Sequence, residues 1–273
     1  MLNAKIHFVT ATNGNEKFMS LQEALDAYEG GVIQLQANAD SVVVAKNVVV
    51  DLDGFSIASV SVTTGELAVL DSKTDDYSVA DNDYGKVVSI SGTVKPADGY
   101  IAIAEADGTS YHRVTLEITD MVLRSADAGV YYNCNFNGDE LVASRVASYG
   151  VALSLKGTPA IGAAGSKYSV FTKFASGSNT PSTLLKNVMQ EANTETQNDR
   201  NANMQVYGRA YIQIGDTYIY GETVSRSFRQ QVELVDLAWN TLTVDQQAAV
   251  HAMYRSFQKD MASWTIPNIK NSF

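Results

Sequence analysis

Cysteine is nearly missing from this chain: Cys134 is the only one in 273 residues. A single thiol excludes an intramolecular disulfide and a thiolate metal cage, and its ordinary place is that of a small buried hydrophobe. Histidine is almost as scarce. His7, His112 and His251 lie far apart in sequence, with no pair at metal-ligand spacing and no G-x-S-x-G nucleophile motif. No P-loop or G-x-G-x-x-G is present, so nucleotide binding has no support. Basic residues are outnumbered, 20 Lys and Arg against 30 Asp and Glu, and the net charge of -10 disfavours nucleic acid, whose phosphates require clustered cations. No apolar run reaches the length of a membrane span. Four prolines leave long stretches free to form regular structure.

With 45% hydrophobic and 18% charged residues, the composition is that of a folded protein of low charge density. Ser20-Leu21-Gln22-Glu23 reads as a capping box, and Leu21, Ala24, Leu25 and Tyr28 give a short amphipathic helix stopped by Gly30-Gly31. The pattern then changes to short β runs at Val32–Leu35, Val42–Val44, Val48–Leu52, Phe55–Val62 and Leu67–Leu70, with turn residues between them. That spacing predicts two to three coils of a β-solenoid, with the helix capping one end. The acidic stretch 71–85 reads as a linker and places a domain boundary at 85.

Beyond it, runs at Lys86–Ser91, Tyr100–Ala104, Tyr111–Ile118, Val130–Phe136, Glu140–Ala147 and Val151–Leu155 predict an antiparallel sandwich, with Asn137-Gly138 as a hairpin turn and Tyr168–Phe174 as an extension. Ser182–Ala192 has helical spacing, 193–203 is polar, and Gln205–Ile214 with Tyr218–Ser227 forms a long hairpin. Two apolar stripes follow. Phe228, Val232, Val235, Trp239 and Leu242 lie on one helix; Ala249, Met253, Phe257, Met261 and Trp264, after a capping box at Thr243–Gln246, lie on the next. The expected architecture is therefore mostly β: a short solenoid-like segment with its capping helix (1–85), an Ig-like β-sandwich with an inserted helix (86–227), and an αα-hairpin (228–273).

Few motifs carry chemistry. Asp75, Asp76, Asp81 and Asp83 invite calcium, but counting from Asp81 the twelfth position of an EF-hand loop is Gly92, where a bidentate glutamate is required. Asp51 and Asp53 have the spacing of paired carboxylates on one strand face, as in solenoid enzymes acting on polysaccharides, and equally that of an Asp-Gly corner. Tyr207, Tyr211, Tyr218 and Tyr220 on the late hairpin are candidates for stacking on sugar rings, with strand packing as the alternative. No catalytic residue, metal site or cofactor is expected.

Asp127-Ala128-Gly129-Val130-Tyr131-Tyr132-Asn133-Cys134 resembles the tyrosine-corner stretch of immunoglobulin domains, with the cysteine one place late and so on the opposite strand face from Tyr131. More broadly, the segments SLQEALDAYEGGVIQL, VVVDLDGFSI, YHRVTLEITDMVLRSADAGVYY, YGVALSLKGTP and VYGRAYIQIGDTYIYGETVSRSFRQ resemble the repeats of large, mostly uncharacterised secreted or cell-surface proteins of Gram-positive gut bacteria. The resemblance implies a stalk or adhesion module that is extracellular and non-catalytic, with neighbouring domains of a longer chain or surface glycans and proteins as partners. It also implies that the start Met1–His7, which lacks signal-peptide character, belongs to an excised piece. A carbohydrate-binding or carbohydrate-cleaving solenoid protein and a phage or appendage subunit assembling through strand edges are the other two readings.

Overall fold

The computed structural model describes residues 10–77 and 83–272. It is mostly β, with 40% strand and 22% helix. The chain divides into two compact units. The first comprises residues 1–115, 137–145 and 175–178, and the second 116–136, 146–174 and 179–273.

The first unit is a stack of parallel windings. Its strands are β1 (Ala11–Asn13), β2 (Glu16–Phe18), β3 (Ile33–Leu35), β4 (Val42–Val44), β5 (Val48–Asp51), β6 (Val60–Val62), β7 (Leu67–Leu70), β8 (Lys86–Val87), β9 (Ile90–Ser91), β10 (Val94–Pro96), β11 (Tyr100–Glu105) and β12 (Gly108–Arg113). One ladder runs β3–β5–β7–β10 and a second β4–β6–β9, all parallel. Parallel bridges Ala39–Ile57–Val87 mark a third line of contact between the two. Ile33 pairs with Val50, Val42 with Val60 and Val48 with Leu67, so the early windings take 17 to 19 residues. Alternating inward side chains such as Val42 and Val44, or Val48 and Val50, build one continuous core with Leu35, Leu52, Ile57 and Val69.

Both ends of the stack are covered. Helix α1 (Leu21–Asp26) packs on β1 to β4 and buries Leu21, Ala24 and Leu25. Ser20 Oγ accepts from Glu23 N at 3.2 Å, while Glu23 reaches back to Met19 N rather than to the cap amide. At the other end the antiparallel pair β11–β12 closes the stack, with β8 on the edge of β12 and Tyr111 entering the core. Helix α2 (Glu140–Arg145) also belongs to this unit.

The boundary expected at residue 85 does not coincide with the division into units, since residues 86–115 fall with the first. The stretch from Asp71 is an enlargement of the last winding: Leu67 pairs with Val94 and Val60 with Ile90. Asp71 and Thr74 are fully buried, and Tyr77 Oη lies 2.6 Å from Thr115 Oγ1. Polar side chains among its described residues serve internal hydrogen bonds, which a reading by hydropathy takes for a solvated linker.

The second unit holds two antiparallel sheets. One pairs β13 (Thr115–Arg124) with β14 (Gly129–Gly138) and β18 (Ser182–Leu185) with β14; the other is β16 (Ser166–Tyr168), β15 (Val146–Ser154), β19 (Val206–Ile214) and β20 (Thr217–Arg226), while the short β17 (Gly177–Asn179) falls at the point where the chain passes between units. Tyr132, Cys134 and Phe136 alternate inward from β14, and Val206, Ala210 and Ile212 inward from β19. Tyr131 faces the other way, where its hydroxyl accepts from Arg124 at 2.8 Å. Gly208 lets β19 approach Ile118 and Tyr132 closely. Helices α3 (Glu195–Asn203), α4 (Phe228–Leu237), α5 (Val244–Ser256) and α6 (Pro267–Asn271) complete the unit. Helix α4 packs on α3 and α6, and α5 on α6 and the turn at Ser125–Asp127.

Several local expectations are corrected. Residues 140–145 are helical, because Asp139 caps them, and Asn137-Gly138 ends a strand instead of turning a hairpin. The segment from Ser182 begins as strand β18, held by β14 through Tyr131–Leu184 and Tyr132–Thr183 pairing. The inserted helix lies later, in the polar stretch, where Thr194 and Gln197 form a full capping box. Of Tyr168–Phe174 only Tyr168 continues a strand; Phe171 makes an isolated bridge to Tyr149.

Candidate functional site

The four candidate tyrosines lie on one face of the β16–β15–β19–β20 sheet. Along β19, alternation sends Val206, Gly208, Ala210 and Ile212 inward and Tyr207, Arg209, Tyr211 and Gln213 outward. Tyr211 stands opposite Tyr220 and Gln213 opposite Tyr218. A bulge in β20 at Gly221-Glu222 keeps Thr223 opposite Arg209, so the outward set continues down the strand. Tyr211, Tyr218 and Tyr220 touch: the Tyr211 and Tyr218 rings meet edge to face at 5.9 Å, and those of Tyr218 and Tyr220 lie 6.5 Å apart and only 33° from parallel. Tyr207 sits at the far end of the same face.

Their environments differ. Tyr211 is buried, its hydroxyl donates to Ser169 O at 2.8 Å, and burial pushes its phenol up to about 12. Tyr220 Oη accepts from Ile161 N at 2.9 Å, and the Arg209 guanidinium stacks 4.4 Å from its ring while Arg209 Nε donates to Gly221 O. Tyr211 and Tyr220 are thus scaffold. Tyr218, 36% exposed, presents its ring to solvent. A fifth tyrosine joins them. Tyr168, 50% exposed, pairs with Ala152, which pairs with Arg209, and therefore shares the face. Its signal in the sequence was an aromatic residue at the start of a strand-like run. Among the positions that the ladder registers place on this face Arg209 carries the charge, with the exposed Glu222 at the bulge beside it; Ser148, Gly150, Ala152 and Ser154 of β15 are buried, and the exposed rings Tyr168 and Tyr218 lie on the two edge strands.

A second constellation lies in the first unit. Ser110 and His112, two apart on β12, share a side: Ser110 Oγ is 2.8 Å from His112 Nε2, and His112 Nδ1 is 2.5 Å from Asp139 Oδ2. This is the order of nucleophile, base and orienting acid in hydrolytic triads. All three side chains are buried, however, and Tyr84 closes over the imidazole edge-on at 4.7 Å. Asp139 Oδ1 accepts from Val142 N at 2.9 Å and so caps α2. The chain Ser110–His112–Asp139 ties α2 to β12 and leaves no approach for a substrate to the serine. Asp139 is 27 residues from His112 in sequence, too far for spacing to reveal the pair.

The remaining candidates resolve into structural roles. Asp51 Oδ1 accepts from Asp53 N at 3.0 Å and Ser72 N at 2.9 Å, and Asp53 (φ 45°) with Gly54 (φ 81°) makes a left-handed corner. His251 lies against Trp239 and bonds Ser272. Asp75 accepts from the Tyr100 hydroxyl. Asp81 and His7 lie outside the described residues. Among the described residues no group of three or more His, Cys, Asp and Glu side chains is arranged to hold a metal, and no helix is long and apolar enough to cross a membrane.

No protein-family model matches the sequence, and no curated protein matches it. Among solved structures, the crystal structure of Parabacteroides merdae β-glucuronidase is similar at 10% identity and a TM-score of 0.26, over 44% of this chain and 14% of that one. A likeness of that size bears on neither fold nor activity.

Proposed function

We propose that this chain is a non-catalytic structural or adhesion module of a secreted or cell-surface protein. In this reading the parallel windings are a short β-solenoid serving as a spacer, the two antiparallel sheets are an Ig-like sandwich, and the outward face of β16–β15–β19–β20 makes the contact. The observation that carries it is the exposure of the Tyr168 and Tyr218 rings on the two edge strands of one sheet. The buried Ser110–His112–Asp139 chain supports the non-catalytic part, since its serine is closed to solvent.

The test couples the full chain to beads and measures retention on immobilised mucin, plant polysaccharide and matrix protein, beside beads carrying the Tyr168→Ala/Tyr218→Ala double variant. The reading expects retention on at least one surface and its loss in the double variant. Absence of retention on all of them, or concentration-dependent filaments by electron microscopy, would replace adhesion with assembly through strand edges.

A further inference from the structure

We infer that Asn13 is a site of spontaneous covalent modification, a deamidation that loosens the hairpin beside the capping helix of the first unit. An asparagine followed by glycine cyclises more readily than other asparagines, because no side chain shields the glycine nitrogen. That nitrogen attacks the asparagine Cγ, the Cγ–Nδ2 bond breaks and ammonia leaves, giving a succinimide. Water then opens one of its two carbonyls, to aspartate or to isoaspartate. The sequence of steps is hydrolytic and needs no oxidant or reductant. The chain holds two such pairs, Asn13-Gly14 and Asn137-Gly138. Equivalent in sequence, they sit in opposed settings.

Cyclisation requires the pair to leave its extended pairing, so the free energy of local opening sets the rate. Asn13 is the last residue of the three-residue strand β1 and pairs with Glu16 across a two-residue turn. Gly14 (φ 58°) has nothing within 4 Å of where a Cβ would stand, and residues 14–17 are exposed. The Asn13 side chain is held at this surface by Nδ2 donating to Gly30 O at 3.1 Å. Asn137, by contrast, lies in the ten-residue strand β14; its Oδ1 is shut from solvent, and Gly138 and Asp139 after it are buried. Asp139 is engaged through both oxygens, with His112 and with Val142 N. A hairpin tip opens at small cost, and a core strand does not. The Gly30 bond gives the reaction its consequence. A carboxylate at position 13 has no proton to donate to that carbonyl. Isoaspartate also adds a methylene to the main chain where Asn13 pairs with Ile33 of β3.

The experiment incubates the folded full chain in mildly alkaline buffer, with a second portion in urea, and follows aspartate and isoaspartate at both positions by peptide mass mapping. In the folded chain position 13 is expected to convert ~10-fold faster than position 137 or more, and in urea the two rates should converge. The inference is overturned if position 137 keeps pace in the folded chain, if position 13 stays intact there, or if the rates stay apart in urea, which would make sequence and not fold the cause. For the consequence, Asn13→Asp should lower the thermal midpoint, while Asn15→Asp, which adds the same charge on the same turn, should leave it unchanged. Equal midpoints for the two variants would overturn the part given to the Gly30 bond.

Discussion

Asp71 is fully buried, and its carboxylate gathers backbone amides from three separated points of the chain, Gly54, Lys73 and Gly85. Burial raises this carboxyl above its ordinary 3.8, opposed by the three amides, which pull it down. Replacing it by asparagine turns an –NH2 toward donors that need an acceptor, so Asp71→Asn should lower stability by about 1–3 kcal/mol in urea unfolding. The pH dependence has a definite sign. With the folded-state value raised, the native protein holds this proton more tightly than the unfolded chain does. The side chain's contribution is therefore fullest below 3.8 and is lost as pH rises through the folded value. The gap between wild type and Asp71→Asn should be wider at roughly pH 4 than at roughly pH 7; a gap that widens toward neutrality would mean the amides outweigh burial. Cys134 illustrates the same force more simply: 3% exposed, its thiol is pushed up to about 12 by desolvation, as expected of a small core hydrophobe.

Elements in this protein are set by close approaches and caps as much as by hydropathy. At the bulge of β20, a Cβ on Gly221 would fall 1.8 Å from Leu116 O, a backbone atom that cannot step aside. Gly221→Ala should therefore cost about 1–3 kcal/mol or displace the strand. Gly215→Ala, at φ 57° in a turn with open space around it, should show only the backbone penalty of about 1 kcal/mol. Equal losses in thermal unfolding for the two variants would count against the close approach. The elements legible in the sequence were those whose signal is local. The valine runs of β4 and β5 and the cap at Thr243–Gln246 are of this kind. Those missed depend on distant partners. Ser182–Leu185 has helical spacing, yet β14 draws it into a ladder; Glu140–Arg145 has strand composition, yet Asp139 caps it as a helix. Helix α3 was hidden because its sequence is almost wholly polar, and only the Thr194–Gln197 box marks its start. On the candidate site, the hairpin that carries the four tyrosines was legible, but that they share one face depends on the β19–β20 register, and which rings are covered depends on Ile161 and Ser169, which belong to other segments.

At the scale of the whole molecule, the division into units is not a cut in the sequence. The chain passes from one unit to the other after Thr115, Phe136, Arg145, Phe174 and Ser178. The first unit thereby receives residue 139 from a segment that follows β14, and that residue is the buried carboxylate partner of His112. A fragment ending at Thr115 keeps every winding, α1 and the β11–β12 cover, yet leaves the imidazole without Asp139. Removing one partner of a buried hydrogen bond typically costs about 1–3 kcal/mol, because the other is left unsatisfied. Asp139→Ala in the full chain should therefore lower the urea midpoint of the transition that involves the first unit, and fragment 1–115 should be destabilised at least as much. Fragment 1–85, which also loses β8 to β12, should show no cooperative transition, since one end of its core is then open to water. A fragment 1–115 that unfolds at the midpoint of the full chain would show that the windings and their hairpin cover suffice, and that the Ser110–His112–Asp139 chain contributes nothing to holding them.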